Sequence, residues 1–404
     1  MPSRRRKTRS LSRKSPVYSG SAFRTRRLGE LRPMPRRDFA SALIALCADA
    51  YVSGLSREML CKRTPPRLPL HALTRLPVST RLKGSTAMDH LPGVLRGFKL
   101  IAGNANRGLA EEIARSLGVD LAKVTATKFA DGEIFVRIDE NIRGADVFIV
   151  QPTNPPAENI MELLLLMDAA RRASAARITC VMPYYGYSRQ DRKDQPRVAI
   201  GAKLMANMIE KAGADRVLGL DFHQHQLQGF FDKPVDHLYA APVLVNHFKK
   251  KHLSDLVIVA PDVGSAKMAR GFGKRLNATL AIIDKRRPSA NVSEVVNVVG
   301  DVEGKDCISP DDMIDTAGTV CEAARALKAL GAKDIFVCAT HALLSGPAVE
   351  RLKNAPITEV VVTDSIALDP SKLFDRLTVL SVGELLAKAI RFTHSEQSVS
   401  SLFD

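Results

Sequence analysis

The chain has 404 residues, 45% hydrophobic and 25% charged, which suffices to bury two ordinary cores and places it in the soluble globular class. Its formal net charge of +16 resides in residues 1–88, where 20 Lys and Arg face 4 Asp and Glu, so the remainder is formally neutral and offers no basic field to nucleic acid. Six cysteines with no CxxC pair exclude a zinc ribbon and a disulfide framework and fit a reducing cytoplasm.

Residues 1–37 are rich in Arg, Ser and Pro, and the apolar run 39–48 is followed by Ala48-Asp49-Ala50, the layout of a signal peptide. The basic region is too long for one, and Met88 stands eleven residues before the first clear strand, where an ordinary start would sit. The expectation for 1–96 is therefore a disordered or wrongly assigned basic extension rather than a targeting peptide. Its scattered aromatics, Tyr18, Phe23, Phe39 and Tyr51, give no stacking platform for nucleic acid.

From residue 99 onward, β-branched runs alternate with Ala- and Leu-rich helical stretches, the pattern of βα units around a mainly parallel sheet. Strands are expected at 99–102, 147–150, 178–182, 216–220, 256–260, 280–283, 334–339 and 359–363. Helices are expected at 108–117, 159–173, 199–212, 266–276 and 318–330, with Gly118, Gly213 and Gly331 at their ends. The longest apolar stretch of this part, 160–170, contains Glu162 and Asp168 and is too short to span a bilayer, so no membrane partner is expected. The strand-helix order begins again after 239–247. This predicts two similar doubly wound α/β domains, 97–240 and 241–404.

The strongest chemical signal is the run Asp311, Asp312, Met313, Ile314, Asp315, Thr316, Ala317, Gly318, Thr319, between a strand-like segment and a helix. Such a turn presents backbone N–H groups and a helix N-terminus to a phosphate, with Thr316 and Thr319 adding donors. Asp311 and Asp312 suit ribose hydroxyls, directly or through a divalent cation. An acidic helix cap would also favour Asp and Thr, but not two acids, a third three positions on and a Gly/Thr turn together.

This run resembles the phosphoribosyl-diphosphate motif of the type I phosphoribosyltransferase fold. With Phe129 to Glu133, the loop 183–192 (PYYGYSRQDR), His223, the segment 228–231, Pro261-Asp262 and the segment 284–288 (DKRRP), residues 97–404 resemble ribose-phosphate diphosphokinases in order and spacing. That resemblance implies pyrophosphoryl transfer from ATP to the C1 hydroxyl of ribose 5-phosphate, with Mg2+ as the cofactor. By matched position it places Phe129, Asp131, Gly132, Glu133, Arg189 and Gln190 at ATP and makes His223 and Asp262 metal ligands. Lys285 and Arg287 become the catalytic cations. Arg287, Asp311, Asp312, Asp315, Thr316, Ala317, Gly318 and Thr319 bind ribose 5-phosphate. It also implies homodimers stacked into hexamers, an ATP site completed by a neighbouring subunit, and a cytoplasmic setting. Residues 288–293 read as a mobile lid, or without the resemblance as an exposed basic hairpin.

Ser309 and Pro310 depart from the family's unbroken apolar run before the two acids, and Gln224, His225 and Ser265 depart near the metal and phosphate positions. A regulatory subunit that has lost activity is disfavoured because Lys285, Arg287, His223, Arg189 and the 311–319 run are intact. A salvage phosphoribosyltransferase needs only one such domain, whereas two are expected here.

Overall fold

The structure, a computed structural model, describes residues 97–402 apart from 252, 290 and 291, and describes 285–289 and 292–296 by their backbone only. The expectations for residues 1–96 lie outside the described residues. The described chain belongs to one compact unit.

Two mainly parallel sheets carry it. In the first, β1 (Phe98–Ala102), β4 (Asp146–Val150), β5 (Arg177–Met182), β6 (Arg216–Leu220) and β7 (Val235–Leu238) lie side by side in that order, every pair parallel. An antiparallel hairpin, β2 (Val124–Lys128) and β3 (Ile134–Ile138), forms a separate two-stranded sheet. The second sheet runs β10 (Val292–Val299), β9 (Thr279–Ser289), β8 (Val257–Ala260), β11 (Cys307–Ile314), β12 (Ile335–Ala342), β13 (Glu359–Thr363) and β14 (Leu377–Leu380). Only its β9–β10 pair is antiparallel. This is the predicted α/β architecture.

Strand alternation assigns the core. In the first sheet Ile101, Val147, Ile149, Ile178, Cys180 and Val217 turn to one face, under α2 (Glu158–Arg172) and α3 (Gly201–Ala212). Their neighbours Leu100, Phe148, Val150, Val181 and Leu218 turn to the other face, under α1 (Arg107–Leu117) and α8 (Gly383–His394). In the second sheet Val257, Val259, Cys307, Val337 and Val360 face α6 (Gly318–Ala329) and α7 (Ala348–Asn354), while Ile258, Ala260, Ile308, Cys338 and Val361 face α4 (Ala241–Lys249) and α5 (Ala266–Leu276). The strands that carry these residues are apolar on both faces because each is covered twice.

The last helix changes sides. Residues 241–404 were expected to form the second domain, yet Leu386, Ala389 and Ile390 of α8 are fully buried against the first sheet. His394 Nδ1 lies 2.7 Å from Asp146 Oδ2, and the same carboxylate is held by the Arg177 guanidinium, which also donates to the Thr393 carbonyl at 3.1 Å. The first sheet offers an apolar face wider than α1 alone can cover, and α8 covers the rest. Among the described residues no helix is long and apolar enough to cross a membrane.

Candidate active site

The site is built at the carboxyl ends of strands from both sheets, where open α/β sheets place ligands. From the second sheet comes β11, which continues through Asp311 and Asp312 to Ile314 before a three-residue turn and α6. The turn closes through Ala317, which takes the left-handed conformation with φ of 57°. Arg351 Nη1 donates to the Thr316 carbonyl at 3.0 Å and fixes the turn from behind.

From the first sheet comes the segment after β6, where Asp221 also holds a left-handed φ, 39°, and is followed by Phe222 and His223. His223 Nδ1 lies 2.7 Å from Asp312 Oδ2, so the expected metal ligand meets an expected ribose ligand. The Asp312 hydrogen bond raises the His223 pKa, overcoming the opposing effect of burial. Burial alone would raise Asp312, but His223 outweighs it and holds that carboxyl below its ordinary range. Asp311 behaves oppositely. Burial first, then repulsion from Asp312 and Asp262, pushes it well above the usual carboxylate range.

Asp262 sits in the turn after β8, the strand beside β11, where its Oδ1 accepts from the Ser265 N–H at 2.8 Å and the Ser265 hydroxyl at 3.0 Å. Ser265, one of the sequence departures, thus anchors the expected metal ligand. Among the described residues no three His, Cys, Asp or Glu are grouped so as to hold a metal ion by themselves.

A cavity of about 360 Å³ opens between the loop after β5 and His223. Arg189, Gln190, Asp191, Arg192, Asp194, Val198, Ala199, His223 and Gln224 line it. Its loop is rigid at the root: Gly186 donates to Thr153 Oγ1 at 2.7 Å, and a Cβ there would fall 2.2 Å from the Thr153 carbonyl oxygen. Tyr187 takes a left-handed φ of 62° and turns the chain toward Arg189. Arg189 Nη1 then reaches Asp315 Oδ2 of the phosphate turn at 2.6 Å. The expected ATP arginine and an expected ribose-phosphate acid are therefore partners in this chain.

The structure does not bring every expected residue together. Phe129, Asp131, Gly132 and Glu133 form the turn of the β2–β3 hairpin, closed by the Phe129 N–H donating to the Glu133 carbonyl at 2.8 Å, and none of them lines the cavity. Phe129 is 55% exposed. Lys285 and Arg287 lie two residues apart on β9, with Val295 of β10 opposite Lys285. The stretch expected as a lid has an antiparallel hairpin for its backbone, with residues 290 and 291 outside the described residues. Sequence reasoning missed Asp221, Thr340, His341 and Ser365, a buried polar group beneath the site. Each is an ordinary residue type in an unremarkable run, and no local signal could have found them.

Comparison with known proteins gives the same assignment over nearly all of the described chain. Residues 98–213 match the family described as the N-terminal domain of ribose phosphate pyrophosphokinase, and residues 288–404 match the phosphoribosyl synthetase-associated domain. The ribose-phosphate pyrophosphokinase of Synechococcus elongatus is 51% identical over 328 residues, spanning 80% of this chain and 99% of its own. That of Halalkalibacterium halodurans is 54% identical over 308 residues, spanning 76% and 98%. The crystal structure of phosphoribosylpyrophosphate synthetase from Mycobacterium smegmatis aligns with a TM-score of 0.70 at 42% identity, covering 74% of this chain and 99% of that one. With identities above half across whole relatives, and the phosphate turn, the cavity and the strand-end acids in one place, the chain belongs to the ribose-phosphate pyrophosphokinase family.

Proposed function

We propose that the chain transfers the pyrophosphoryl group of ATP to the C1 hydroxyl of ribose 5-phosphate, giving phosphoribosyl pyrophosphate and AMP. The observation that carries the reading is the Arg189–Asp315 pair, which sets a phosphate-seeking guanidinium of the cavity against the turn suited to a sugar phosphate. The turn from Asp315 through Thr316, Ala317, Gly318 and Thr319 receives the 5-phosphate at the N-terminus of α6, and Asp311 and Asp312 accept the ribose hydroxyls. Arg189 and Gln190 hold the nucleotide in the cavity. The C1 oxygen attacks the β-phosphorus in line, the bond from the β-phosphorus to the oxygen it shares with the α-phosphate breaks, and AMP leaves. Lys285 and Arg287 are the cations for the charge that grows on the β-phosphoryl oxygens, which favours the transition state over the ground state.

Mg2+ fits the donor set. Asp262 follows β8 and Asp311 and Asp312 lie on the adjacent β11. Asp311, raised first by burial and then by repulsion from Asp312 and Asp262, is a carboxyl whose ionised form a divalent cation would favour. His223 and Asp262 would hold it, and when bound it supplies charge neutralisation to the transferred phosphates. The exposed turn 129–133, away from the cavity of its own chain, suits delivery to the cavity of a neighbouring copy. The reading therefore includes homodimers assembled into hexamers. The buried free thiols of Cys180, Cys307, Cys321 and Cys338 suit a reducing cytoplasm.

The test is AMP release by the full chain with magnesium, ATP and ribose 5-phosphate, coupling phosphoribosyl pyrophosphate to a transferase. AMP and coupled product should rise together and only with ribose 5-phosphate present. AMP formed without the sugar phosphate, or no AMP at all, would refute the assignment.

A further inference from the structure

Between the two sheets lies a buried polar joint that none of the sequence motifs covers. Thr340 and His341 are consecutive on β12, both buried, and both hold Asp221 at the end of β6. The Thr340 hydroxyl donates to Asp221 Oδ2 at 2.6 Å, beside the Ala240 N–H at 2.9 Å. His341 Nε2 lies 3.1 Å from the Asp221 carbonyl oxygen, and its Nδ1 lies 2.9 Å from Ser365 Oγ. A carbonyl oxygen only accepts, so Nε2 carries the proton and Nδ1 accepts from the Ser365 hydroxyl. Ser365 Oγ is also 3.0 Å from the Thr340 carbonyl, which has lone pairs for both it and the Thr363 hydroxyl at 2.7 Å. That oxygen keeps a donor in either case, whereas an unprotonated Nδ1 has only Ser365, so the Ser365 proton goes to the ring. The imidazole is thus neutral with a single tautomer, in keeping with burial, which pushes its pKa down.

Three segments of the site converge on this ring. The Asp221 carbonyl belongs to the left-handed turn that aims His223 at Asp312, so fixing it fixes His223. Tyr184, at the root of the loop that carries Arg189 and Gln190, stands edge-on to the imidazole with ring centroids 5.0 Å apart. Met313, next after Asp312, is the register partner of His341 across the β11–β12 ladder.

We propose that His341 is a positioning residue for the transfer reaction, holding the His223 turn, the root of the Arg189 loop and the ribose-phosphate strand in one register. The inference rests on the function proposed above, and it acts through the Asp221 carbonyl without contact to substrate. A histidine that merely fills the core would be replaceable at a cost in stability alone, with no distinction between its two nitrogens.

That distinction supplies the experiment. Glutamine can place an N–H near the position of Nε2, whereas asparagine reaches only as far as Nδ1. The full chain, His341→Gln and His341→Asn are compared for Tm, for kcat and KM, for the magnesium concentration giving half the maximal rate, and for the Tm rise given by ribose 5-phosphate. Activity of the unmodified chain tests the function, and the ratios of variant to unmodified chain test the inference, so the two can fail separately. His341→Asn is expected to raise the magnesium requirement and lower kcat/KM about tenfold or more, and to shrink the ribose 5-phosphate shift, while His341→Gln stays within about threefold of the unmodified chain. Equal losses in the two variants, or losses confined to Tm, overturn the proposal. Should neither variant fold, Ser365→Ala removes only the hydroxyl that fixes Nδ1 and is expected to raise the magnesium requirement severalfold; an unchanged requirement overturns the proposal.

Discussion

One hydrogen bond, between His223 and Asp312, moves two titrations in opposite directions. His223 is raised, so its contribution to stability is complete below an unfolded pKa of about 6.5 and is lost as pH climbs through the higher folded value. Asp312 is lowered, so its share is present above about 3.9 and is lost as pH falls through the folded value. Asp312→Asn should therefore depress Tm most at about pH 5 to 6 and least above about pH 8, by thermal denaturation across a pH series. A Tm difference that grows toward alkaline pH would contradict the ion pair. Lys285→Ala acts on the reaction instead of the fold: kcat should fall by orders of magnitude with KM for ATP little changed, and steady-state kinetics would expose the reverse pattern. At this scale the legible residues were those in contiguous runs, such as Asp311 to Thr319. The joint of Asp221, Thr340, His341 and Ser365 was illegible because its partners lie up to 120 positions apart and pair only once two sheets have met.

Elements show how far local pattern carries. Strands buried on both faces read directly as apolar runs, and β6, β13 and α5 match their expected bounds. The β2–β3 hairpin went unseen because its strands are half exposed and carry Thr, Lys and Arg, while β7 is four residues long with Asp236 and His237 inside it. Pro310 sits in β11 itself, opposite Cys338 of β12, yet the ladder from β11 to β8 ends at Ile308. Proline cannot donate to a ladder, which accounts for the early end of pairing with β8, the strand that leads to Asp262. Pro310→Val should restore a donor and stabilise the chain by about 1 kcal/mol in denaturant unfolding, whereas a destabilised variant would show that the ring fits this strand better than a donor does. Gly186→Ala is the opposite case. With a backbone oxygen 2.2 Å from the new carbon, the cavity loop must shift, and KM for ATP should rise tenfold or more, to about the extent that displaced binding groups cost.

The whole molecule is tied across its two sheets at several places. Asn106, which caps α1 by accepting from the Leu109 N–H, also donates to the Asp364 carbonyl at 2.6 Å. Arg189 and Asp315 join cavity and phosphate turn, and α8 joins the last residues to the first sheet. The repeat of strand-helix order predicted two α/β domains divided at residue 240, and the described residues carry two mainly parallel sheets within one compact unit. The destination of α8 was beyond reach because an amphipathic stripe records that a helix is buried, without recording which face receives it. Ile390 is fully buried in that interface, so Ile390→Ala should cost about 2 to 5 kcal/mol in denaturant unfolding; a loss below about 0.5 kcal/mol would mean that α8 contributes little to the first sheet.

The return of α8 also fixes an order of events during synthesis. While the ribosome is still making the second sheet, Phe98, Leu109, Leu117 and Leu218 lack the wall that Leu386 and Ile390 will supply. The first half of the nascent chain therefore emerges with an unsealed apolar face and finishes folding only after the last helix has left the exit tunnel. A stop just before residue 383 would release a protein with every candidate site residue present and an apolar face exposed, a natural substrate for chaperones and proteases.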